Sequence, residues 1–264
     1  MQAVWRAVKI CKKNSMFRIF RQFRKGRAAR RIVAFGWPLV LASLSQTLVA
    51  NVDAAMVGRI SLDALAALGV ASTVMHFFLI IGNGLSFGLN ASISAELGTN
   101  SHARSGRAVL SGLRIGLAAG PVVALLAWSL TPAIYSIMGL RGTVLELAMQ
   151  YSRIFCAFLL IAPLQSMLNS TFAAHTHTRI VMISAILMAT LNVIGNYVLI
   201  FGKWGFPALG IEGAAWASVI SMAASASFLL AAMWSRRRTY HLDRPCPDTG
   251  IRYFLVRISQ LGMT

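Results

Sequence analysis

Six long stretches without a charged residue constrain this chain more than any other feature of its sequence. A helix needs about 20 apolar residues to cross the hydrocarbon core of a bilayer, and each stretch reaches that length. Hydrophobic residues make up 57% of the 264 residues and charged residues 12%, against about 25% charged residues in soluble proteins. The sequence therefore predicts an all-α membrane protein, a bundle of six transmembrane helices. The stretches are 32–52, 64–95, 115–140, 154–178, 180–202 and 213–235.

The few charges are strongly one-sided, with 25 basic and 7 acidic residues and a net charge of +18. In a soluble protein this balance would indicate a nucleic-acid partner. Here the basic residues cluster at the ends of the apolar stretches, where lipid headgroups and membrane topology explain them. We therefore expect membrane lipid as a partner and no nucleic acid.

Segment 1–31 holds eleven Lys or Arg residues and no acid, interleaved with aromatic residues. This composition predicts a basic amphipathic N-terminal segment on an anionic membrane surface. A mitochondrial transit peptide and a start codon further along the chain are the alternatives. The predicted domains are this segment, a six-helix transmembrane lobe over 32–238, and a cytoplasmic tail over 239–264.

The distribution of basic residues between successive loops predicts the orientation. Segment 1–31, the loops after helices 2 and 4, and the tail after helix 6 hold most of them, whereas the opposite loops are poor in them. We expect a multi-pass protein of the inner (plasma) membrane with both termini in the cytoplasm. The basic residues of the opposite set are Arg59, Arg141, Arg153 and Lys203.

Asp53 is the first charged residue after stretch 32–52, so it lies inside the membrane or at its edge. A charge at the bilayer centre costs roughly 2.5–3.5 kcal/mol on insertion scales and usually faces a cavity or a partner. We therefore interpret Asp53 as a functional residue. An interfacial aspartate near a helix end is the alternative.

Polar residues recur at helical spacing in five of the six predicted helices, so each set shares one helix face. Hydrogen bonding between helices is one interpretation. A hydrated central cavity with an acid in its wall is the other, and we favour it because so many helices contribute. The sets are Ser43, Gln46 and Asp53; Asn83 and Asn90; Gln165 and Asn169; Asn192 and Asn196; and Ser218, Ser221 and Ser225.

Enzyme signatures are missing from the sequence. It contains no nucleophile elbow, HExxH motif, phosphate-binding glycine loop or carboxylate pair. The three cysteines are far apart and form no CxxC pair, so neither a disulfide framework nor a structural metal site is expected. We predict a protein that is not an enzyme.

Four segments resemble the MATE family of multidrug and toxic-compound exporters: Gln46–Gly58, Gly84–Gly98, Ser170–Met182 and Leu191–Ser218. The first reads QTLVANVDAAMVG, and the last contains LNVIGNYVLIFGKWGFPALGIEGAA. Their order and spacing match the first half of that fold, from about residue 31 to residue 238. One departure is Thr-His at positions 176–177, where the family often has Gly-Asn.

The resemblance implies an antiporter that exports small-molecule drugs or organic cations by alternating access, coupled to H⁺ or Na⁺. No other cofactor is implied. Where some relatives have a second acid in helix 5, this chain has Asn196. Carried over by motif, the cation-binding residues are Asp53, Asn192, Asn196 and Ser218, with Na⁺ possible at Asp53. The expected substrate cavity includes Gln46, Asn83, Asn90, Gln165, Asn169 and Trp216.

The family has twelve helices in two lobes, whereas this sequence predicts six. Arg257–Gly262 parallels Arg31–Gly36, as if a second repeat began there. We therefore expect the N-terminal lobe of a split, truncated or frameshifted gene, inactive without a separate C-terminal lobe or a second copy. A non-transporting membrane fragment is one alternative. A lipid-linked sugar flippase of the same superfamily is another, although Arg114 is the one cation that would suit its cavity.

Overall fold

A computed structural model describes residues 27–99, 102–237 and 239–240. Over these residues the chain forms six helices, each long and apolar enough to cross a membrane. The predicted six-helix, all-α architecture is confirmed. The predicted surface segment 1–31 and tail 239–264 lie almost entirely outside the described residues and stay predictions. The helices are α1 (Arg27–Val57), α2 (Leu62–Gly98), α3 (His102–Ile137), α4 (Gly142–Ala174), α5 (Thr178–Phe201) and α6 (Ile211–Ser235).

The helices are longer than the charge-free stretches that predicted them. α3 begins at His102 instead of Ile115, and α4 begins at Gly142 instead of Ile154. A charge-free criterion detects only the part of a helix that lies in hydrocarbon. The backbone ladder continues into the headgroup region, where the exposed side chain of Arg104 illustrates how a long basic residue can reach water while its stem covers apolar surface.

α4 is the central helix of the bundle and packs against α2, α3 and α6. Its buried face contains a run of stacked aromatic rings, with centroid distances of 5.4 Å between Tyr151 and Phe155 and 4.4 Å between Phe155 and Phe158. α5 packs against α6 and α1, whereas α1 makes few contacts with α2. α1 is therefore attached to the bundle mainly through α5.

Close backbone approaches fix two of the helix pairs. A Cβ atom at Gly120 of α3 would lie 2.1 Å from the carbonyl oxygen of Leu160 in α4. A Cβ atom at Gly213 of α6 would lie 2.6 Å from the backbone of Leu199 in α5. Small residues allow such approaches, on which helix association in membranes depends. The α5–α6 contact determines how the polar side chains of these two helices meet.

Candidate functional site

Asp53 lies one turn before the end of α1, where α1 packs against α5. Its side chain is half-buried. Asn196 of α5 donates a hydrogen bond from Nδ2 to Asp53 Oδ1. The carboxylate therefore faces a polar partner inside the bundle, at the most extensive contact that α1 makes with the described helices.

A relay of hydrogen bonds continues from Asn196 into the core. Asn196 Nδ2 donates to Asn192 Oδ1 at 3.0 Å, one helical turn away. Asn192 Nδ2 donates to Ser218 Oγ of α6 at 3.1 Å, and Ser218 Oγ donates to the carbonyl of Ala214 at 3.1 Å. Both asparagines are fully buried. The structure thus brings together the four residues predicted to bind a cation, here called the Asp53 cluster.

One oxygen of this cluster has no hydrogen-bond donor among the described residues. Both Nδ2 hydrogens of Asn196 are used, by Asp53 and Asn192, and its buried Oδ1 accepts none. Leaving a buried acceptor unsatisfied costs about 1–3 kcal/mol. A protonated carboxyl group or a hard cation would satisfy it, since hard cations prefer oxygen ligands. The cluster therefore offers carboxylate, amide and hydroxyl oxygens to a small cation.

Tyr151 of α4 is a neighbour of this site that the sequence did not predict. It is buried and stacks on Phe155, and it lies near enough to Asp53 for a charge on one side chain to affect the other. The charge-free stretch that predicted helix 4 begins at Ile154, which left Tyr151 outside the helix. The spacing of aromatic residues at 151, 155 and 158 is helical and was the available signal.

Gln165 belongs to a second buried network that joins three helices. Its Nε2 donates to Ser225 Oγ of α6 at 3.2 Å, and Ser225 Oγ donates to the carbonyl of Ser184 in α5 at 3.0 Å. Gln165 Oε1 and the buried Asn169 Oδ1 find no partner within the described part of the chain. The network has the form of interhelical hydrogen bonding, one of the two interpretations of the polar stripes. The cavity role of both residues stays a prediction.

Asn83 and Asn90 of α2 both hydrogen-bond to α4. Ser166 Oγ donates to Asn83 Oδ1 at 3.2 Å, and Asn90 Nδ2 donates to the carbonyl of Ser170 at 3.3 Å. Asn83 is exposed and Asn90 half-buried. The predicted common face is therefore the face that α2 turns toward α4, and its participation in a substrate cavity stays a prediction.

Gln46 and Trp216 lie on the outside of the bundle. Gln46 is exposed two turns before Asp53 on the same side of α1. Trp216 is 43% exposed and two residues from Ser218, so it is rotated about 200° around α6 from that hydroxyl. Gln46 is thus on the same helix face as the cation cluster, whereas Trp216 points away from it.

Acidic side chains outside the cluster are arranged differently from Asp53. Over the residues that the structure describes, no group of three or more His, Cys, Asp or Glu side chains is arranged to hold a metal ion. The other acid deep in the bundle, Glu96 at the end of α2, pairs with Arg104 at 3.3 Å. Asp53 is thereby distinguished by having amide partners in place of a cation.

Relatives with similar sequences are bacterial multidrug resistance proteins. The probable multidrug resistance protein NorM of Synechocystis sp. is 31% identical over 191 residues, covering 72% of this chain and 41% of that protein. The multidrug resistance protein PmpM of Pseudomonas aeruginosa is 26% identical over 189 residues, covering 72% of this chain and 40% of that protein. The chain therefore spans less than half the length of these relatives.

Solved structures show the same fold over half of their length. A crystal structure of MATE in complex with MaD5 superposes with a TM-score of 0.78 at 23% identity, covering 88% of this chain and 52% of that one. A MOP superfamily transporter from Pyrococcus furiosus superposes with a TM-score of 0.77 at 24% identity, covering 88% and 50%.

The family assignment rests on the sequence as well as on the fold. The MatE family model matches residues 38–198, a range that contains Asp53, Asn192 and Asn196. The resemblance predicted from the motifs is confirmed. The chain belongs to the MatE family, and its six transmembrane helices have the fold of about half of a multidrug efflux transporter of that family.

Proposed function

We propose that this chain is one lobe of a cation-coupled antiporter that exports small-molecule drugs or organic cations, and that the Asp53 cluster is its coupling site. The supporting observation is the buried relay from Asp53 through Asn196 and Asn192 to Ser218, in a membrane bundle of the MatE family. The coupling ion is H⁺ or Na⁺, bound at the Asp53 carboxylate.

The chemistry of the cluster explains why H⁺ and Na⁺ would not bind to it at the same time. A proton on Asp53 gives the carboxyl group a donor for the orphaned Asn196 Oδ1. Na⁺ needs the ionised carboxylate and the same amide oxygen as ligands. Both states neutralise a charge that is expensive in the membrane, so the site is stable when it is loaded and costly when it is empty.

Ion exchange at Asp53 would change the contact between α1 and α5. A hydrogen bond to a charged acceptor is about twice as strong as one to a neutral acceptor, so protonation weakens the bond from Asn196 to Asp53, whereas Na⁺ would compete with Asn196 Nδ2 for the carboxylate oxygens. α1 has few other contacts within the lobe, so its position responds most to that change. A drug that binds along the exposed face of α1, beside Gln46, would then favour one of two helix positions.

A second lobe is part of the proposal. Alternating access moves one repeat or bundle against another around a central site, and the chain spans 41% of the NorM protein it matches in Synechocystis. We propose that a further six-helix lobe completes the substrate pathway, whether it continues this chain, belongs to a separate chain or is a second copy. The names of the relatives suggest drugs as the substrate class.

Dye efflux from cells tests the coupling site. Residues 1–264 are fused ahead of the C-terminal half of a MatE relative, and the fusion is expressed in cells that lack their own efflux pumps. We expect efflux from the fusion and a loss of at least tenfold with Asp53→Asn, because an amide cannot exchange a proton or supply charge to Na⁺. Imposed pH and Na⁺ gradients then identify the ion.

The matched control is Asp63→Asn, an exposed aspartate in the first turn of α2, which should leave efflux unchanged. Unchanged efflux with Asp53→Asn would sink the coupling proposal. Residues 1–264 expressed without the second half should insert and not export. Efflux by that chain alone would instead show a transporter built from two copies of it.

A further inference from the structure

A cavity of about 680 Å³ opens where three helix ends meet. It lies at the start of α1, whereas Asp53 lies near the end of that helix. The cavity lies between the start of α1, the turn between α4 and α5, and the end of α6, on the side of the bundle where α1 begins and α6 ends. The residues that matter here are Ile32, Phe35, His177, Arg179, Ile180 and Arg236. Its volume is typical of sites for small organic ligands.

The cavity has a strongly positive wall. Arg179 and Arg236 both line it, and its lining includes no Asp or Glu. The acid at the end of α2, Glu96, is engaged by Arg104. α5 begins at Thr178 without a side-chain cap, so the first amides of that helix add donors next to the two guanidinium groups. An anion with several acceptor oxygens suits this wall.

A buried tyrosine anchors the backbone at one of the two arginines. The backbone N–H of Tyr240 donates to the carbonyl of Arg236 at 3.2 Å, and the Tyr240 hydroxyl lies 3.0 Å from His177 Nδ1. Burial and the neighbouring Arg236 lower the pKa of His177, which favours the neutral imidazole as the partner of the Tyr240 hydroxyl. Tyr240 is 1% exposed and packs edge-on against Phe172. The backbone at Arg236 is therefore anchored at the rim of the cavity.

The opposite wall of the cavity is apolar and open to the outside of the bundle. Ile32 is 57% exposed and Phe35 39% exposed, and both belong to the first turns of the membrane-spanning part of α1. Trp37, two residues further along, is also exposed, as is typical of residues at the headgroup level. A cationic wall at the headgroup level thus continues into an apolar wall at the depth of acyl chains.

We propose that this cavity binds the phosphate of an anionic glycerophospholipid, with Arg179 and Arg236 as its ligands and an acyl chain along Ile32 and Phe35. Arginine forms paired hydrogen bonds with phosphate oxygens, and basic pockets at helix ends are established lipid headgroup sites. The N-terminal segment is a poor alternative occupant, because its eleven Lys or Arg residues carry the same charge as the cavity.

Native mass spectrometry of the detergent-purified chain tests the proposal, with phosphatidylglycerol, phosphatidylcholine and inorganic phosphate as separate probes. We expect at least tenfold tighter retention of phosphatidylglycerol than of phosphatidylcholine for the tightest site. The variant Arg179→Gln/Arg236→Gln should lose that preference. Arg59→Gln/Lys203→Gln removes the same charge at the opposite ends of the helices, where both residues are exposed, and should keep it.

Three outcomes would overturn the proposal. If Arg179→Gln/Arg236→Gln retains phosphatidylglycerol as tightly as the unaltered chain does, the lipid binds elsewhere, for example on the N-terminal segment. Displacement of the lipid by millimolar inorganic phosphate shows a site for soluble anions. A photoactivatable phosphatidylglycerol on the unaltered chain covers the case in which the variant does not fold. It should label peptides that contain Phe35 or Ile180, and labelling confined to other peptides counts against the cavity.

Discussion

Asn196 is the residue on which the geometry of the Asp53 cluster depends. It gives one Nδ2 hydrogen to Asp53 and the other to Asn192, and its buried Oδ1 has no partner in the described part of the chain. A polar group is buried at little net cost only when it is hydrogen-bonded. The free oxygen, adjacent to the only ionisable side chain of the cluster, therefore favours a loaded state over an empty one.

His177 supplies a pH dependence that can be measured on the purified chain. Because folding lowers the pKa of this imidazole, the unfolded chain binds its proton at a higher pH than the folded chain does. The stability that His177 contributes is therefore complete above about pH 6.5 and is lost as the pH falls through the folded value. We expect the midpoint of thermal unfolding in neutral detergent to fall between pH 7.5 and pH 5.5.

Substitution of His177 isolates that effect. His177→Asn should reduce the fall in the unfolding midpoint, because the titrating group is removed while a polar side chain remains. His76→Asn changes an exposed histidine within α2 and serves as the matched control, which should reproduce the behaviour of the unaltered chain. An identical pH profile for all three proteins would contradict the role assigned to His177.

The membership of the Asp53 cluster was predictable because it depends on local spacing and on the family motifs. Asn192 and Asn196 are one turn apart, which places them on one face of α5 in any helical model of the sequence. The contribution of Tyr151 was not predictable, because proximity to Asp53 depends on how α4 packs against its neighbours. The division of polar residues between the cluster and the Gln165 network depends on the same packing.

The contact between α3 and α4 gives a prediction about two helices. Gly120→Ala places a Cβ atom 2.1 Å from the carbonyl oxygen of Leu160, so the helices must separate. We expect a loss of stability of about 1–3 kcal/mol, the usual cost of overpacking. Thermal unfolding followed by circular dichroism measures it.

Gly84→Ala in α2 is the matched control, because no atom lies within 4 Å of a Cβ atom at that position. An alanine in an open helical position is more stable than glycine by about 0.5–1 kcal/mol. The two substitutions should therefore shift the unfolding midpoint in opposite directions. Equal effects of both would show that α3 and α4 do not pack through Gly120.

Hydropathy predicted the number of helices and their order, since the bilayer imposes a minimum apolar length on each. It could not predict the helix starts at His102 and Gly142, because helices continue past the hydrocarbon into regions that tolerate charge. It also could not predict that α1 contacts α5 more than α2. Neighbours in sequence need not be neighbours in a bundle, and side-chain packing decides between the arrangements.

The whole molecule has two ends that differ in charge. The end with the α2–α3 and α4–α5 turns also receives the start of α1 and the end of α6, and it includes Arg30, Arg104, Arg179 and Arg236. The opposite end includes Arg59, Arg141 and Lys203. Counting segment 1–31 and the C-terminal tail widens the difference. Basic residues near the membrane remain on the cytoplasmic side, so this asymmetry determines the expected orientation.

We therefore predict that both termini lie in the cytoplasm. Phosphatase reporters, active outside the cytoplasm, and fluorescent reporters, active inside it, are fused after residues 59, 104, 141, 179, 203 and 238. We expect phosphatase activity at 59, 141 and 203 and fluorescence at 104, 179 and 238, because an even number of spans returns the chain to the side on which it began.

Neutralising Arg236, Arg237 and Arg238 together should leave this pattern intact, since the eleven basic residues of segment 1–31 still oppose translocation of that segment across the membrane. Phosphatase activity at 104 or 238 would mean the opposite orientation or an odd number of spans.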